Sequence, residues 1–242
     1  LNLRTLGSAL ALVMPMSVAA EIEDFETVLD ATGCEIVLNQ TTNSCRTILH
    51  AVCSDRKTAA IYFDAEGKRE FSRVMVEGVN QTTFQSSADG LVFVRDSMND
   101  DRVDFSLVQR GETDTFHFTS RSTAGRDVVI TMAGTVRRLP DINVISDQEI
   151  SYLYWDWTYT VETPNGSYAS EIETKSEFHD ALGLWLGNYV QIRDTAGSVN
   201  IINDFSKKLL RPGHNNFEEI VTQCPGIETS ATGSFLKSRS VG

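Results

Sequence analysis

Two cysteines and a histidine fall close together in NSCRTILHAVC, Asn43 to Cys53. Three kinds of chemistry use such residues: a metal clip, a redox pair and a structural disulfide. Zinc sites show short Cys or His pairs such as CxxC or HxxxH, and neither occurs here. Cys45 and Cys53 are also too far apart in sequence for a CxxC redox motif. The chain has four cysteines, Cys34, Cys45, Cys53 and Cys224, and two disulfides are the expectation.

The remaining groups give little catalytic signal. The four histidines, His50, His117, His179 and His214, stand in no ligand spacing with one another. His179 sits between Glu177 and Asp180 in SEFHDALG. A solvated turn histidine explains that setting better than a proton-transfer role. The acidic DSMNDDR, Asp96 to Arg102, reads as a solvated turn rather than a weak calcium loop. There is no GxSxG, HExxH, phosphate-cradling glycine loop or EF-hand pattern. No catalytic residue, metal ligand or cofactor is assigned, and a hydrolase with unfamiliar carboxylates is kept as a third class. Asn39, Asn80 and Asn165 head N-x-[ST] sequons, of which Asn165-Gly166 is already explained as a turn.

Compartment comes from the N-terminus. Arg4 precedes an apolar run, Ala9 to Val18, that ends in Val18-Ala19-Ala20. Residues 1–20 read as a secretory signal peptide, and the destination as periplasmic or extracellular. The run is too short for a membrane span, which needs roughly 18 or more apolar residues. The net charge of −12 repels phosphate backbones and anionic headgroups. Nucleic acid and a polybasic membrane grip are therefore not expected.

These residues need elements to position them. Cys45, Ile48, Leu49 and Val52 share a face at helical spacing, so residues 21–57 read as a helical, disulfide-linked segment. A helix would hold Cys45 and Cys53 about 12 Å apart, beyond the ~7 Å a disulfide allows. Cys34–Cys53 with Cys45–Cys224 is then the favoured pairing. Residues 58–224 read as an antiparallel β domain continuous with that segment, and residues 225–242 as a flexible tail. The expected strands are 59–64, 70–77, 90–96, 102–110, 115–121, 127–138, 150–163, 168–178, 184–193 and 198–206, with a connection at 139–149 around Pro140. Stretch 178–193 also fits a helix, but Gly183 and Gly187 and its register match favour strands.

Alternation also sets expected registers. In SYLYWDWTYTVETPNGSYASEIETKSEF, a four-residue loop Pro164–Ser167 would set Tyr159 opposite Ile172, Leu153 opposite Phe178 and Asp156 opposite Lys175. Loop Gly111–Asp114 would set Leu107 opposite Phe118. Loop Asp194–Gly197 would set Val190 opposite Ile201. Short helices are expected near Ile22–Leu29 and Phe217–Cys224.

The fold class is mainly β. An antiparallel meander of about ten strands, each with one apolar face, must curl into a barrel or half-barrel or fold into two packed sheets. Phe105, Phe116, Phe118, Trp155, Trp157, Tyr159, Ile172 and Phe178 fall on inward faces and would line an apolar cavity, or fill the core instead. Tyr152 and Tyr154 point outward. The functional expectation is an exported soluble binding or chaperone-like protein that holds a lipid or other apolar small molecule. The alternative is a structural or interaction protein of the cell envelope, with a filled core and an envelope protein as partner.

Overall fold

The computed structural model describes residues 33–54, 57–77, 79–86, 92–122, 128–217 and 219–221, with side chains described outside 83–86 and 96–100. The expected signal peptide, the N-terminal helix at Ile22–Leu29 and the tail 225–242 lie outside the described residues. Thirteen strands follow in order: β1 (Cys34–Thr42), β2 (Thr47–Cys53), β3 (Lys57–Phe63), β4 (Arg69–Val76), β5 (Asn80–Ser86), β6 (Val92–Asp101), β7 (Thr113–Ser122), β8 (Val129–Ile145), β9 (Gln148–Thr163), β10 (Gly166–His179), β11 (Leu184–Asp194), β12 (Val199–Asp204) and β13 (Ser206–Leu210). One short helix, α1 (Phe105–Gln109), precedes β7. The strands form one antiparallel ladder in the order β12-β11-β10-β9-β8-β7-β6-β5-β4-β3-β2-β1-β13. The chain is thus mainly β and antiparallel, as the alternation requires.

The ladder is not a closed barrel, yet its two ends meet. Asp204, the last residue of β12, pairs with Asn188 of β11, and Ser206, the first of β13, pairs with Thr42 of β1. A single residue, Phe205, carries the chain from one end of the ladder to the other. Its carbonyl accepts a hydrogen bond from the Asn43 N–H, 2.9 Å away. Gly187 makes the meeting sterically feasible: a Cβ there would overlap the Asp204 carbonyl and lie 2.9 Å from Phe205 Cα. The free side of β13 is met by side chains of the β8–β9 turn. Ser146 Oγ accepts from the Leu209 N–H at 3.1 Å, and Gln148 Nε2 donates to the Leu209 carbonyl at 3.4 Å. Polar side chains thereby cover an edge that would otherwise be open to pairing.

Several sequence expectations are corrected. The segment around Cys45 and Cys53 is a β-hairpin, not a helix. Its pairing Cys34↔Cys53 places the two Cα atoms 3.9 Å apart, and the disulfide Cys34–Cys53 forms across it. Thr47–Cys53 carries β-branched residues that suit a strand with both faces covered, which defeats a reading by helical period. Cys45 is disulfide-bonded as well, and Cys224 lies outside the described residues. Residues 102–110 are not a strand. Asp104 caps α1 by accepting from the Ser106 N–H, and β7 pairs with β6 and β8. Leu107 therefore does not face Phe118. The connection expected at 139–149 is strand: β8 bulges between Arg138 and Ile142, which accommodates Pro140, and turns at Ser146-Asp147, both at positive φ. The acidic stretch 96–101 lies in β6 rather than in a loop. No helix forms over residues 217 and 219–221.

Two hairpin registers shift. Between β9 and β10 the loop is Pro164-Asn165, with Thr163 paired to Gly166. Thr163 Oγ1 accepts from the Asn165 N–H and donates to the Gly166 carbonyl, so Pro164 sits where no donor is required. Ile172 then faces Trp157, Leu153 faces Ser176 and Asp156 faces Glu173. A slip of two residues preserves every side chain's face. Between β11 and β12, Asp194 Oδ1 accepts from the Ala196 and Ser198 N–H groups, and Gly197 takes φ 82°. That three-residue turn moves the register by one, setting Val190 opposite Ile202 and leaving Ile201 exposed.

Candidate functional site

The eight expected lining residues do not surround a single void. Phe116, Phe118, Trp155 and Phe178 are buried together with Val136 and Leu153, and Phe105 and Trp157 pack against them. Phe105 meets Phe178 at 4.6 Å between ring centroids, and Phe116 meets the edge of Trp155 at 5.6 Å. Tyr159 packs instead beside Phe93, Ile130 and Val161. Ile172 is buried opposite Trp157. Two cavities stand out, and both open to the surface. One, about 240 Å³, is a polar groove that includes Asp156, Trp157, Glu173 and Arg193. The other, about 410 Å³, lies among Glu35, Ile36, Leu49 and Phe217.

A polar corner adjoins the aromatic cluster. The registers place His50 of β2, Ala60 of β3 and Arg73 of β4 on one row of the ladder, with their side chains on one face. Ala60 contributes only a methyl group between the other two. Opposite stand Trp155 of β9 and Trp185 of β11, stacked at 5.1 Å with planes 9° apart. The Arg73 guanidinium carbon lies 4.8 Å from the Trp185 ring centroid and 5.0 Å from that of Tyr62. Arg73 is 9% exposed, and no carboxylate among the described residues pairs with it. Desolvating a guanidinium costs several kcal/mol. Two cation–π contacts of about 2 kcal/mol each offset part of that.

Four polar atoms on these residues are buried without a protein partner: Arg73 Nε, Trp155 Nε1, Trp185 Nε1 and His50 Nδ1. Buried polar atoms are nearly always paired, so such a concentration needs an explanation. His50 is fully buried, and its Nε2 lies 2.6 Å from Gln40 Oε1. Burial first, then the charge of Arg73 and the nearness of His179, push its pKa down to about 3. The imidazole is therefore neutral. Gln40 Oε1 can only accept, so His50 Nε2 carries the proton and Nδ1 presents a lone pair.

A second polar layer holds the corner where the ladder ends meet. Gln40 Nε2 donates to Ser206 Oγ at 2.9 Å, and Ser206 donates through both N–H and Oγ–H to Glu177 Oε2. Glu177 is 1% exposed, and burial raises its pKa above the usual carboxylate range. Arg46 bridges Glu70 at 2.7 Å and Asp204 at 3.1 Å, and Ser44 Oγ also donates to Asp204. His179 is not a solvated turn residue. It is buried, with Nε2 3.0 Å from Gln148 Oε1, which also accepts from Arg211 Nε at 2.8 Å.

The sequons resolve differently from one another. Asn39 is buried and donates to the Phe217 and Glu219 carbonyls, and Asn80 is buried against both backbone groups of Val103. Both side chains are structural. Tyr152 and Tyr154 do point outward, and Lys175 and Arg137 lie over their rings.

Sequence reading missed Arg73. The signal was there: Phe71, Arg73 and Met75 alternate, which puts a lone charge on an apolar face. Among the described residues no group of three or more His, Cys, Asp or Glu side chains could hold a metal ion. No helix among them is long and apolar enough to cross a membrane. The Cys34–Cys53 disulfide fits an oxidising compartment. Compared with protein families, characterised proteins and solved structures, the chain has no significant match.

Proposed function

We propose that the protein is an exported binding protein whose curled sheet holds a ligand at the Arg73 corner. The observation that carries this reading is a group of buried atoms without a protein partner on β2, β4, β9 and β11, with the Arg73 guanidinium 4.8 Å from the Trp185 ring and Trp155 stacked on Trp185. A site left unsatisfied by its own protein is what a ligand with complementary polar atoms would complete. The aromatic cluster beside it supplies a dry wall rather than the cavity itself. This keeps Trp155 as an expected ligand contact, adds Arg73 and Trp185, and leaves Phe105, Phe116 and Phe178 to the wall.

A second reading, a structural or interaction protein of the cell envelope, draws on other observations. The rings of Phe105, Phe116, Trp155 and Phe178 pack on each other, as in a filled core. Ile142 and Val144, near the β8–β9 turn, are each 63% exposed. One experiment separates the two: native mass spectrometry of protein purified from its host compartment, before and after organic extraction. Binding predicts a mass that extraction removes. No such mass, together with no uptake of a hydrophobic dye at neutral pH, supports the envelope reading and defeats the binding one.

A further inference from the structure

We infer that the Arg73 corner is a carboxylate site, and that its ligand carries one carboxylate on an apolar body. This rests on the binding reading above and adds the ligand's chemistry. Three of the unpartnered atoms, Arg73 Nε, Trp155 Nε1 and Trp185 Nε1, are N–H donors that cannot accept. The ligand must therefore bring acceptors. Tyr62 and Trp185 lie against the guanidinium, Tyr62 also shares a side-chain hydrogen bond with it, and Nε–H is the donor left for an oxyanion. A fork of two N–H groups matches the two oxygens of a carboxylate.

Charge sets the valence. Arg73 is the one buried cation at this corner without a carboxylate partner among the described residues: Arg46 is held by Glu70 and Asp204, Arg211 is exposed to solvent, and His50 is neutral. A single positive charge is matched by a monoanion, whereas a phosphate dianion would be buried with an excess negative charge. The surroundings set the rest of the ligand. Trp185 lies against the guanidinium, with Trp155 stacked on it and Phe116 beyond, and this run of apolar area favours a hydrocarbon or aromatic body next to the carboxylate.

The test uses the full chain after organic extraction and follows tryptophan fluorescence and thermal melting. Sodium laurate, sodium benzoate, sodium acetate and dodecanol are titrated in parallel. Laurate or benzoate is expected to shift the emission and raise the melting temperature, and dodecanol to do neither. Acetate binding as well as benzoate means that the carboxylate alone suffices, and the apolar-body half of the inference then falls. Arg73→Met keeps side-chain length and removes the charge, and it should weaken carboxylate binding by about tenfold or more. Trp185→Phe keeps a ring beside the guanidinium but removes one donor, and it gives a several-fold loss even where Arg73→Met fails to fold. Equal binding of laurate and dodecanol, or unchanged laurate binding in a folded Arg73→Met variant, overturns the carboxylate inference and leaves the binding reading standing. Failure of every compound, with no removable mass on the native protein, overturns both.

Discussion

Arg46 Nη1 lies 3.1 Å from Asp204 Oδ2, and this ion pair joins the β1–β2 turn to the last residue of β12. It therefore couples the two ends of a thirteen-stranded ladder. Asp204 is 4% exposed and takes a further hydrogen bond from Ser44. Arg46→Met would leave a buried carboxylate short of its cation. The expected loss is about 2–3 kcal/mol, read as a melting temperature lower by roughly 4–10 °C. A variant that melts with the wild type would show that the pair does not hold the ends together.

His50 should make stability fall in acid. Its folded pKa, about 3, lies below the ordinary 6.5 because the ring is buried near Arg73 and His179. The unfolded chain therefore binds a proton first as pH drops. This contribution is complete above pH 6.5 and declines between 6.5 and about 3, by about 1.4 kcal/mol per pH unit. Urea melts across that range should show a steeper decline for the wild type than for His50→Gln. Parallel curves would remove His50 from the account.

Glu177 acts in the opposite sense. Burial raises its folded pKa, so its contribution is complete below the unfolded value of 4.5 and is lost as pH rises through the folded value. Glu177→Gln keeps an acceptor for Ser206 and carries no charge. Its stability relative to wild type should improve as pH rises above 4.5. Thermal melts at pH 4 and pH 8 suffice, and an advantage for the variant that shrinks with pH would contradict the assignment.

Gly187 and Gly183 make a paired test. A methyl group at Gly187 meets backbone of Asp204 and Phe205, whereas Gly183 has open space but a φ of +64°. Gly187→Ala should cost more than 3 kcal/mol, on the order of the larger overpacking penalties, and Gly183→Ala about 1 kcal/mol. The ranking is the content of the prediction, and the two denaturation midpoints decide it.

The Cys34–Cys53 bond closes a sequence separation of 19 residues. Replacing both cysteines with alanine should lower stability by about 3 kcal/mol on the chain-entropy estimate. Stability equal to wild type would mean that the hairpin pairing alone fixes this edge of the ladder.

Alternation made β9, β10 and β11 legible, because each has one wet and one dry face. It failed for β1 and β2, where both faces are covered: Asn39 reaches the Phe217 carbonyl on one side while Gln40 reaches Ser206 on the other. A strand dry on both sides has no period of two to read. Loop length was the second blind spot. Thr163 and Asp194 recruit their own side chains to tighten the turns that follow them, and the pairing moves accordingly. Of the expected cavity residues, Phe116, Phe118, Trp155, Ile172 and Phe178 are buried, and Phe105, Trp157 and Tyr159 are half-buried. The corner with unpaired atoms is organised by Arg73, a residue type that hydropathy assigns to the surface.

Phe205 has a consequence for how the chain is made. Among the described strands β1 is the first to leave the ribosome, but its second neighbour, β13, begins at Ser206. The other twelve described strands must emerge before that seam can be sewn. Contacts so distant in sequence make for late, slow folding, and for a long interval in which one margin of β1 is bare. A chain cut short before Ser206 would keep that margin bare for good, so premature termination here should yield aggregates rather than a smaller working fold.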